Sequence, residues 1–382
     1  MSKKTDDPKN KFSRLQEICQ KINKGDWGGE NKDALLFFGE GGSNQIEIEK
    51  FSTGSISLDW ALGGGWPIGR IAEVYGPESV GKSTLVLHAI SEFQKKFPNE
   101  YVALIDSEFS FDIFYAKSLG VDVDSIIINQ PESGEQALNI LEQLIDEGVK
   151  MIVVDSVAAL TTQAELTSNI GDPQVAAQAR LMSNALKKLV SKVSKAKAFV
   201  LFTNQMRDKI GVMGWGEKTT QPGGRALKFY ASCRVALSAI GKDKEGDEIV
   251  STRIKATVKK NKVAPPFREA IFVITFGKGI DRIAAAFEEA IALKIIKRSG
   301  AYYDVFGTRC QGKSEALEIL KNNTDYIEQI EQKVRDKVSG KVKIEEIKEE
   351  VKEETEEKKV RRVPVSSLVL DDDNESIVES GE

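Results

Sequence analysis

The segment Gly76-Pro77-Glu78-Ser79-Val80-Gly81-Lys82-Ser83 constrains this chain's fold more than anything else in the sequence. It follows an apolar run, Ile71–Tyr75, and opens a stretch in which Leu85, Val86, Ala89 and Ile90 recur at helical spacing. Gly76 and Gly81 permit backbone conformations and close approaches that a Cβ would block, so successive N–H groups can converge on one anion. The spacing G-x-x-x-x-G-K-[ST] between a strand and a helix is that of a phosphate-cradling loop, with the helix N-terminus aimed at the charge. In that reading Lys82 supplies a point charge to the outer phosphates, Ser83 a hydroxyl ligand for Mg²⁺, and Thr84 a further nucleotide-binding position. A chance glycine-rich turn would explain the loop but not its flanking strand and helix. His88, on the same helix, reads as a packed or surface imidazole.

Around this loop the pattern alternates. Short apolar runs at Ile71–Tyr75, Tyr101–Asp106, Ser125–Asn129, Met151–Asp155 and Ala198–Thr203 are interleaved with helical stretches at Lys82–Phe93, Phe111–Ser118, Gly134–Glu147 and Gln174–Ser194. Such alternation predicts an α/β fold with a mostly parallel sheet flanked by helices. Three more runs, Cys233–Ala239, Thr252–Lys259 and Ala270–Thr275, have no helices between them and are expected to extend the sheet as antiparallel hairpins. Beyond Gly279, helical patterns at Ile283–Lys294 and Glu315–Lys337 enclose a short strand at Ala301–Val305, which predicts a small α+β C-terminal domain.

The expected division is therefore an N-terminal helical arm (1–48), a nucleotide-binding core (49–280), a C-terminal domain (281–338) and a charged tail (339–382). With 382 residues and 41% hydrophobic side chains, the chain is long enough for one large core and a smaller partner. Its charge of −4 conceals a tail whose last 20 residues carry six acids and no base; without them the body is slightly positive. One histidine and three dispersed cysteines exclude a His-rich metal site, a CxxC knuckle and a disulfide framework. The polar, Lys- and Asp-rich start lacks an apolar run, so no signal peptide or membrane span is expected, and the default compartment is the cytoplasm.

Two acids complete the phosphate chemistry. Asp155 ends the apolar run Met151–Asp155, which would set a carboxylate beside a metal at the carboxyl edge of the sheet. Glu108 follows the run that ends at Asp106, on the same edge, where it could orient or deprotonate water. On spacing alone, a plain strand end at Asp155 and a solvated or capping acid at Glu108 remain open.

At this point the residues resemble the RecA family of recombinases, bacterial or phage-encoded. The resemblance is carried by Phe51-Ser-Thr-Gly-Ser-Ile-Ser-Leu-Asp59, Gly76–Ser83, Val153–Leu160, Thr203-Asn-Gln205, Lys209-Ile-Gly-Val-Met213, Gly223–Ser232, Lys260-Asn-Lys262 and Pro266-Phe267, and it spans Glu49 to Lys337. It implies a RecA-type core, an N-terminal helix that packs on a neighbouring subunit, and a small C-terminal domain. It further implies ATP- and Mg²⁺-dependent filament formation on single-stranded DNA, pairing with double-stranded DNA, strand exchange, and promotion of self-cleavage by the SOS repressor. Residue by residue, it implies Glu108 as the water-activating glutamate, Asp155 as the metal-side acid, Asp112 and Tyr115 at the adenine, and Gln205 as a γ-phosphate sensor. Lys260 and Lys262 would reach ATP held by the adjacent subunit. DNA contacts are implied for two loops, about Glu165–Ala179 and Met206–Gly224, through Val175, Arg207, Lys209, Ile210, Gly223, Gly224 and Arg225, with Arg180 on the helix after the first. Basic, glycine-rich loops suit sequence-independent grip.

The chain departs from the family pattern in places. Val175-Ala176 stands where a Met-Gly pair is usual, Pro173 is uncommon there, Phe109 and Phe111 flank the catalytic segment, and Trp215 lies in the second loop. A RecA-core ring helicase or other DNA motor shares the phosphate chemistry and is the alternative. A small-molecule kinase would need an arginine-rich lid, whereas the mobile stretch here runs into Gly-Gly-Arg-Ala-Leu-Lys.

Overall fold

The computed structural model describes residues 48–169, 176–208 and 219–338. The chain divides into units 1–49 and 50–382, and the second holds nearly every described residue. The expected N-terminal helix and the acidic tail lie outside the described residues, as do Val175, Lys209 and Ile210.

Nine strands form the central sheet: β1 (Ile71–Gly76), β2 (Val102–Asp106), β3 (Ile126–Asn129), β4 (Met151–Asp155), β5 (Phe199–Gln205), β6 (Cys233–Glu245), β7 (Glu248–Asn261), β8 (Glu269–Thr275) and β9 (Gly279–Ile280). Their spatial order is β9-β8-β7-β6-β1-β5-β4-β2-β3. The pairs from β6 through β3 are parallel, and β7, β8 and β9 continue the sheet antiparallel. The parallel core read from the sequence is thus present.

The three later runs extend the sheet as antiparallel hairpins, as expected. The first of them, β6, also joins β1 in parallel, with Cys233 opposite Ala72, before it turns back into β7. The crossover into β6 includes a helix of only five residues, Ala226–Tyr230. That is too short to leave a periodic signal.

The sheet's two faces are read off alternate residues, as the two-residue period of a strand requires. Ala72, Val74, Leu104, Val153 and Leu201 face one core, where α1 (Ile56–Leu62) and α2 (Lys82–Lys96) pack through Leu58, Leu85, Val86, Ile90 and Phe93. Ala103, Ile105, Ile152, Val154 and Phe202 face the other, covered by α3 (Gly134–Asp146) and α4 (Ala177–Ala196) through Leu138, Leu141, Met182, Leu186 and Leu189. Each Val, Leu, Ile, Phe or Met side chain so buried contributes about 1.5–3 kcal/mol, so both layers are held by apolar burial. The arrangement leaves the carboxyl ends of β1, β2, β4 and β5 together at one edge.

The first core runs on into the C-terminal part through Ala285, Phe287, Tyr303, Val305, Cys310, Leu320 and Ile330. There α5 (Arg282–Ala292), N-capped by Asp281, leads into a three-stranded antiparallel sheet, Lys297–Ser299, Tyr302–Val305 and Thr308–Gln311. Two helices follow, Lys313–Asn322 and Thr324–Val338. The sequence alone predicts a single strand, Ala301–Val305, and one continuous helix, Glu315–Lys337, in this stretch. Three- and four-residue strands are too short to show alternation, and the break at Asn323 falls inside a continuous helical period.

Candidate active site and nucleic-acid face

The phosphate-type loop leaves β1 at Gly76 and enters α2 at Lys82. Its shape requires glycine at two points. A Cβ on Gly76 would come 2.6 Å from the Leu237 carbonyl oxygen, and one on Gly81 would come 2.3 Å from Ile274 Cδ1. Gly81 also sits at φ 90°, in the left-handed region, as N-cap of α2. Pro77, Glu78 and Ser79 are exposed, Val80 is buried, and Lys82 folds its ammonium onto the carbonyls of Pro77 (2.7 Å) and Gly76 (3.4 Å). Burial lowers the pKa of Lys82, while Asp155, Glu108 and Glu78 act in the opposite direction. A buried ammonium whose hydrogen bonds go to neutral carbonyls is poised to exchange them for phosphate oxygens.

Strand register brings the acids to this loop. Asp106 and Asp155 end adjacent strands opposite one another, and Gly76 pairs with Gln205 on β5. Ser83 Oγ donates to Asp155 Oδ2 at 3.1 Å, and Thr203 Oγ1 donates to Oδ1 at 2.5 Å. Burial raises the pKa of Asp155; Thr203 and Ser83 oppose the shift, and Glu108 and Asp106 add to it. Glu108 Oε1 accepts from Gln205 Nε2 at 3.0 Å and from the Ser156 hydroxyl. The loop carrying Glu108 is held from behind by buried Asp106, which accepts from Phe111 N–H (3.1 Å) and Gln130 Nε2 (3.2 Å).

These groups line one open cavity of about 510 Å³, bounded by Glu78–Thr84, Glu108, Tyr115, Asp155 and Gln205 on one side and Thr252, Ile254, Ile274 and Phe276 on the other. Tyr115 hydroxyl is 2.9 Å from Thr84 Oγ1. Asp112 instead N-caps the helix Ile113–Ser118, accepting from Tyr115 N–H at 3.0 Å, and lines a smaller adjoining cavity with Tyr115. His88 is packed: its Nε2 accepts from Ile280 N–H at 2.8 Å, and burial pushes its pKa down to about 4.

The residues fit a nucleotide-borne divalent cation. Ser83 Oγ and Asp155 meet at the cavity wall, with further carboxylates close enough to raise the Asp155 pKa. Among the described residues no three acids, histidines or cysteines converge on one point. One or two protein oxygens is the ligand number typical of Mg²⁺ that keeps waters and phosphate oxygens for its remaining positions.

Not every candidate residue lies here. Lys260 and Lys262 sit at the far end of β7, where Asn261 pairs with Cys233 and Cys233 with Ala72 at the start of β1. Ile254, on the same strand, lines the cavity; six residues of strand separate it from Lys260, about 20 Å. Lys260 Nζ donates to the carbonyls of Lys228 (2.7 Å) and Phe229 (2.8 Å), while Lys262 is exposed.

Arg180 and Arg225 are both exposed, on segments that touch: an added Cβ on Gly224 would lie 2.8 Å from Ala179 Cβ. Arg207–Asp208 pairs with Thr219–Thr220 at the base of the second loop. The sequence reading assigned no role to Thr203, Ser156 or Gln178. Thr203 had a signal, a polar residue inside an apolar strand; the other two left none.

Comparison with known proteins agrees with this geometry. The family model described as RecA N-terminal domain matches residues 14–281, and that described as RecA C-terminal domain matches 285–339. Protein RecA of Chlorobium limicola is 48% identical over 309 residues, covering 80% of this chain and 87% of the relative. Protein RecA of Nautilia profundicola is 50% identical over 292 residues, covering 76% and 83%. That of Heliobacterium modesticaldum is 45% identical over 329 residues, covering 85% and 93%. Phosphate loop, facing acids, mostly parallel sheet and two matched domains lead to one conclusion: the chain belongs to the RecA family of DNA-dependent ATPases.

Proposed function

We propose that this chain binds ATP with Mg²⁺ in the cavity at Gly76–Thr84, polymerises on single-stranded DNA, and in that state pairs and exchanges homologous strands. The observation that supports this best is the gathering of Lys82, Ser83, Asp155, Glu108 and Gln205 at one cavity, while Lys260 and Lys262 stand at the opposite end of the sheet. A lysine pair about 20 Å along its strand from the cavity wall is placed to serve phosphate chemistry in a neighbouring copy rather than its own.

In this reading the loop N–H groups and Lys82 hold the β- and γ-phosphates, and Ser83 and Asp155 hold the metal, which when bound would neutralise phosphate charge. Glu108 takes a proton from the attacking water. It is held for that task by the Ser156 hydroxyl and the Gln205 amide. Gln205 touches Glu108 on one side and leads directly into the second loop on the other, so γ-phosphate loss can be felt where DNA is held. Tyr115 flanks the adenine, and Asp112 fixes the helix that carries it. Arg180, Arg207 and Arg225, with Lys209, neutralise DNA phosphates; Gly223 and Gly224 allow the backbone close, and Val175 and Ile210 meet base faces. The same filament would act on duplex DNA during pairing and promote self-cleavage of an SOS repressor in the cytoplasm. No helix among the described residues is long and apolar enough to cross a membrane.

The test is ATP turnover with and without poly(dT), in the wild type and in Lys82→Ala. Wild-type turnover should rise with poly(dT), and Lys82→Ala should lose hydrolysis by more than about 100-fold, the usual effect of removing a transition-state charge donor. Wild-type turnover in Lys82→Ala would refute the assignment.

A further inference from the structure

Three consecutive residues on the returning arm of the second loop, Gln221, Pro222 and Gly223, are each held by a side chain from a different element. Arg234 Nη2 donates to Gln221 Oε1 at 2.8 Å, Asn204 Nδ2 donates to the Pro222 carbonyl at 3.2 Å, and Gly223 N–H donates to Gln178 Oε1 at 3.0 Å. Every one of these side chains has a second anchor. Arg234 pairs with fully buried Glu73, Asn204 donates to the other oxygen of Glu73 at 3.2 Å, and Asn204 Oδ1 accepts from Gln205 N–H at 3.0 Å.

Gln178 has the widest reach. Its Nε2 donates to the carbonyls of Val157 (2.7 Å) and Leu160 (2.9 Å), in the turn that follows Asp155 and Ser156. All the amide's polar atoms are engaged, and its orientation is fixed: a flip would set NH₂ against the Gly223 N–H and oxygen against two carbonyls. The glycine pair lets the arm approach this closely, because a Cβ on Gly223 would come 2.8 Å from Val157 Cγ1. A single amide thus joins the first residues of α4, which follow the first loop, to the return of the second loop and to the turn beside Ser156. The Ser156 hydroxyl in turn donates to Glu108.

We propose that Gln178 is a positioning residue for the DNA-dependent ATPase reaction: its amide ties the roots of both DNA loops to the turn that sets Ser156 against Glu108. This rests on the assignment of those loops to DNA. A strand gripped by either loop would then bear on one fixed point, and its pull would reach the turn that sets Ser156 against Glu108 through that amide. Without the amide, Asn204 and Gln205 still join the second loop to the end of β5.

The experiment measures ATP turnover by the full-length protein with increasing poly(dT), and binding of a fluorescent ATP analogue, in wild type, Gln178→Met and Gln178→Glu. Methionine keeps the side chain's length and removes all three hydrogen bonds; glutamate keeps the acceptor for Gly223 but turns an oxygen toward two carbonyls. In both variants DNA-free turnover and analogue affinity should stay within twofold of wild type. DNA-stimulated kcat should fall about tenfold, and half-stimulation should need more poly(dT), consistent with loss of one or two net hydrogen bonds. Circular dichroism checks the fold, and the glutamate variant decides if methionine fails to fold. DNA-stimulated turnover within twofold of wild type, or an equal fall with and without DNA, would overturn the proposal. A wild type that ignores poly(dT) would instead remove the DNA reading, and the latch with it.

Discussion

At the scale of single residues, the site is built from groups whose partners are fixed before any ligand arrives. Lys82 rests on two carbonyls, Asp155 on two hydroxyls, and Glu108 on an amide and a hydroxyl. The loop glycines, Lys82 and Ser83 were legible from their spacing, whereas Asp155 and Glu108 were open on spacing alone and drew their expected roles from the family resemblance. Ser156, Gln178 and Asn204 were not legible, because a bridging hydroxyl or amide follows no period and its partners are distant in sequence.

His88 gives a test at this scale. Its Nε2 accepts from Ile280 N–H, which requires the neutral ring, and burial pushes its pKa down to about 4 against an ordinary 6.5. The unfolded chain gains this proton as pH falls through 6.5, whereas the folded chain resists until about 4. Stability is therefore lost across that window as pH falls, by up to about 3 kcal/mol. His88 is the only histidine in the sequence, so imidazole NMR reads it without ambiguity. A midpoint near 4 is expected; one near 6.5, or the same acid profile in His88→Gln, would show that the ring is not held this way.

At the scale of elements, strand register does most of the positioning. Parallel pairing brings the ends of β1, β2, β4 and β5 to one edge, and the antiparallel β7 carries Ile254 to the cavity and Lys260 to the opposite end. The parallel core was legible because its strands alternate with helices long enough to show a period. The parallel entry of β6 was not, since a five-residue helix makes the crossover. The three-stranded C-terminal sheet was hidden for the same reason of length.

The placement of β7 leads to a prediction. Replacing both Lys260 and Lys262 with alanine should leave binding of a fluorescent ATP analogue within about threefold of wild type while DNA-stimulated hydrolysis falls by 10³-fold or more, on the order of an arginine finger's effect. Unchanged stimulation would make them ordinary surface lysines. Lys260 also holds the last carbonyls of the helix Ala226–Tyr230, so Lys262→Ala alone separates loss of charge from loss of that contact.

At the scale of the whole molecule, one apolar core runs from the sheet into the C-terminal part, and the phosphate cavity and the lysine pair lie at opposite ends of the same sheet. In the proposed function a protomer so built would carry half of a site at each end, and a head-to-tail contact that does not close on itself would generate a helical filament. Family membership was legible from blocks spread along the chain; that the lysine pair stands away from the phosphate cavity became visible only with the register of β7. Sedimentation of the full-length protein with a slowly hydrolysed ATP analogue and poly(dT) tests this most directly. Fast-sedimenting polymers, seen as long filaments in negative stain and absent without nucleotide, are expected. A protein that stays monomeric under those conditions would contradict a site shared between neighbours.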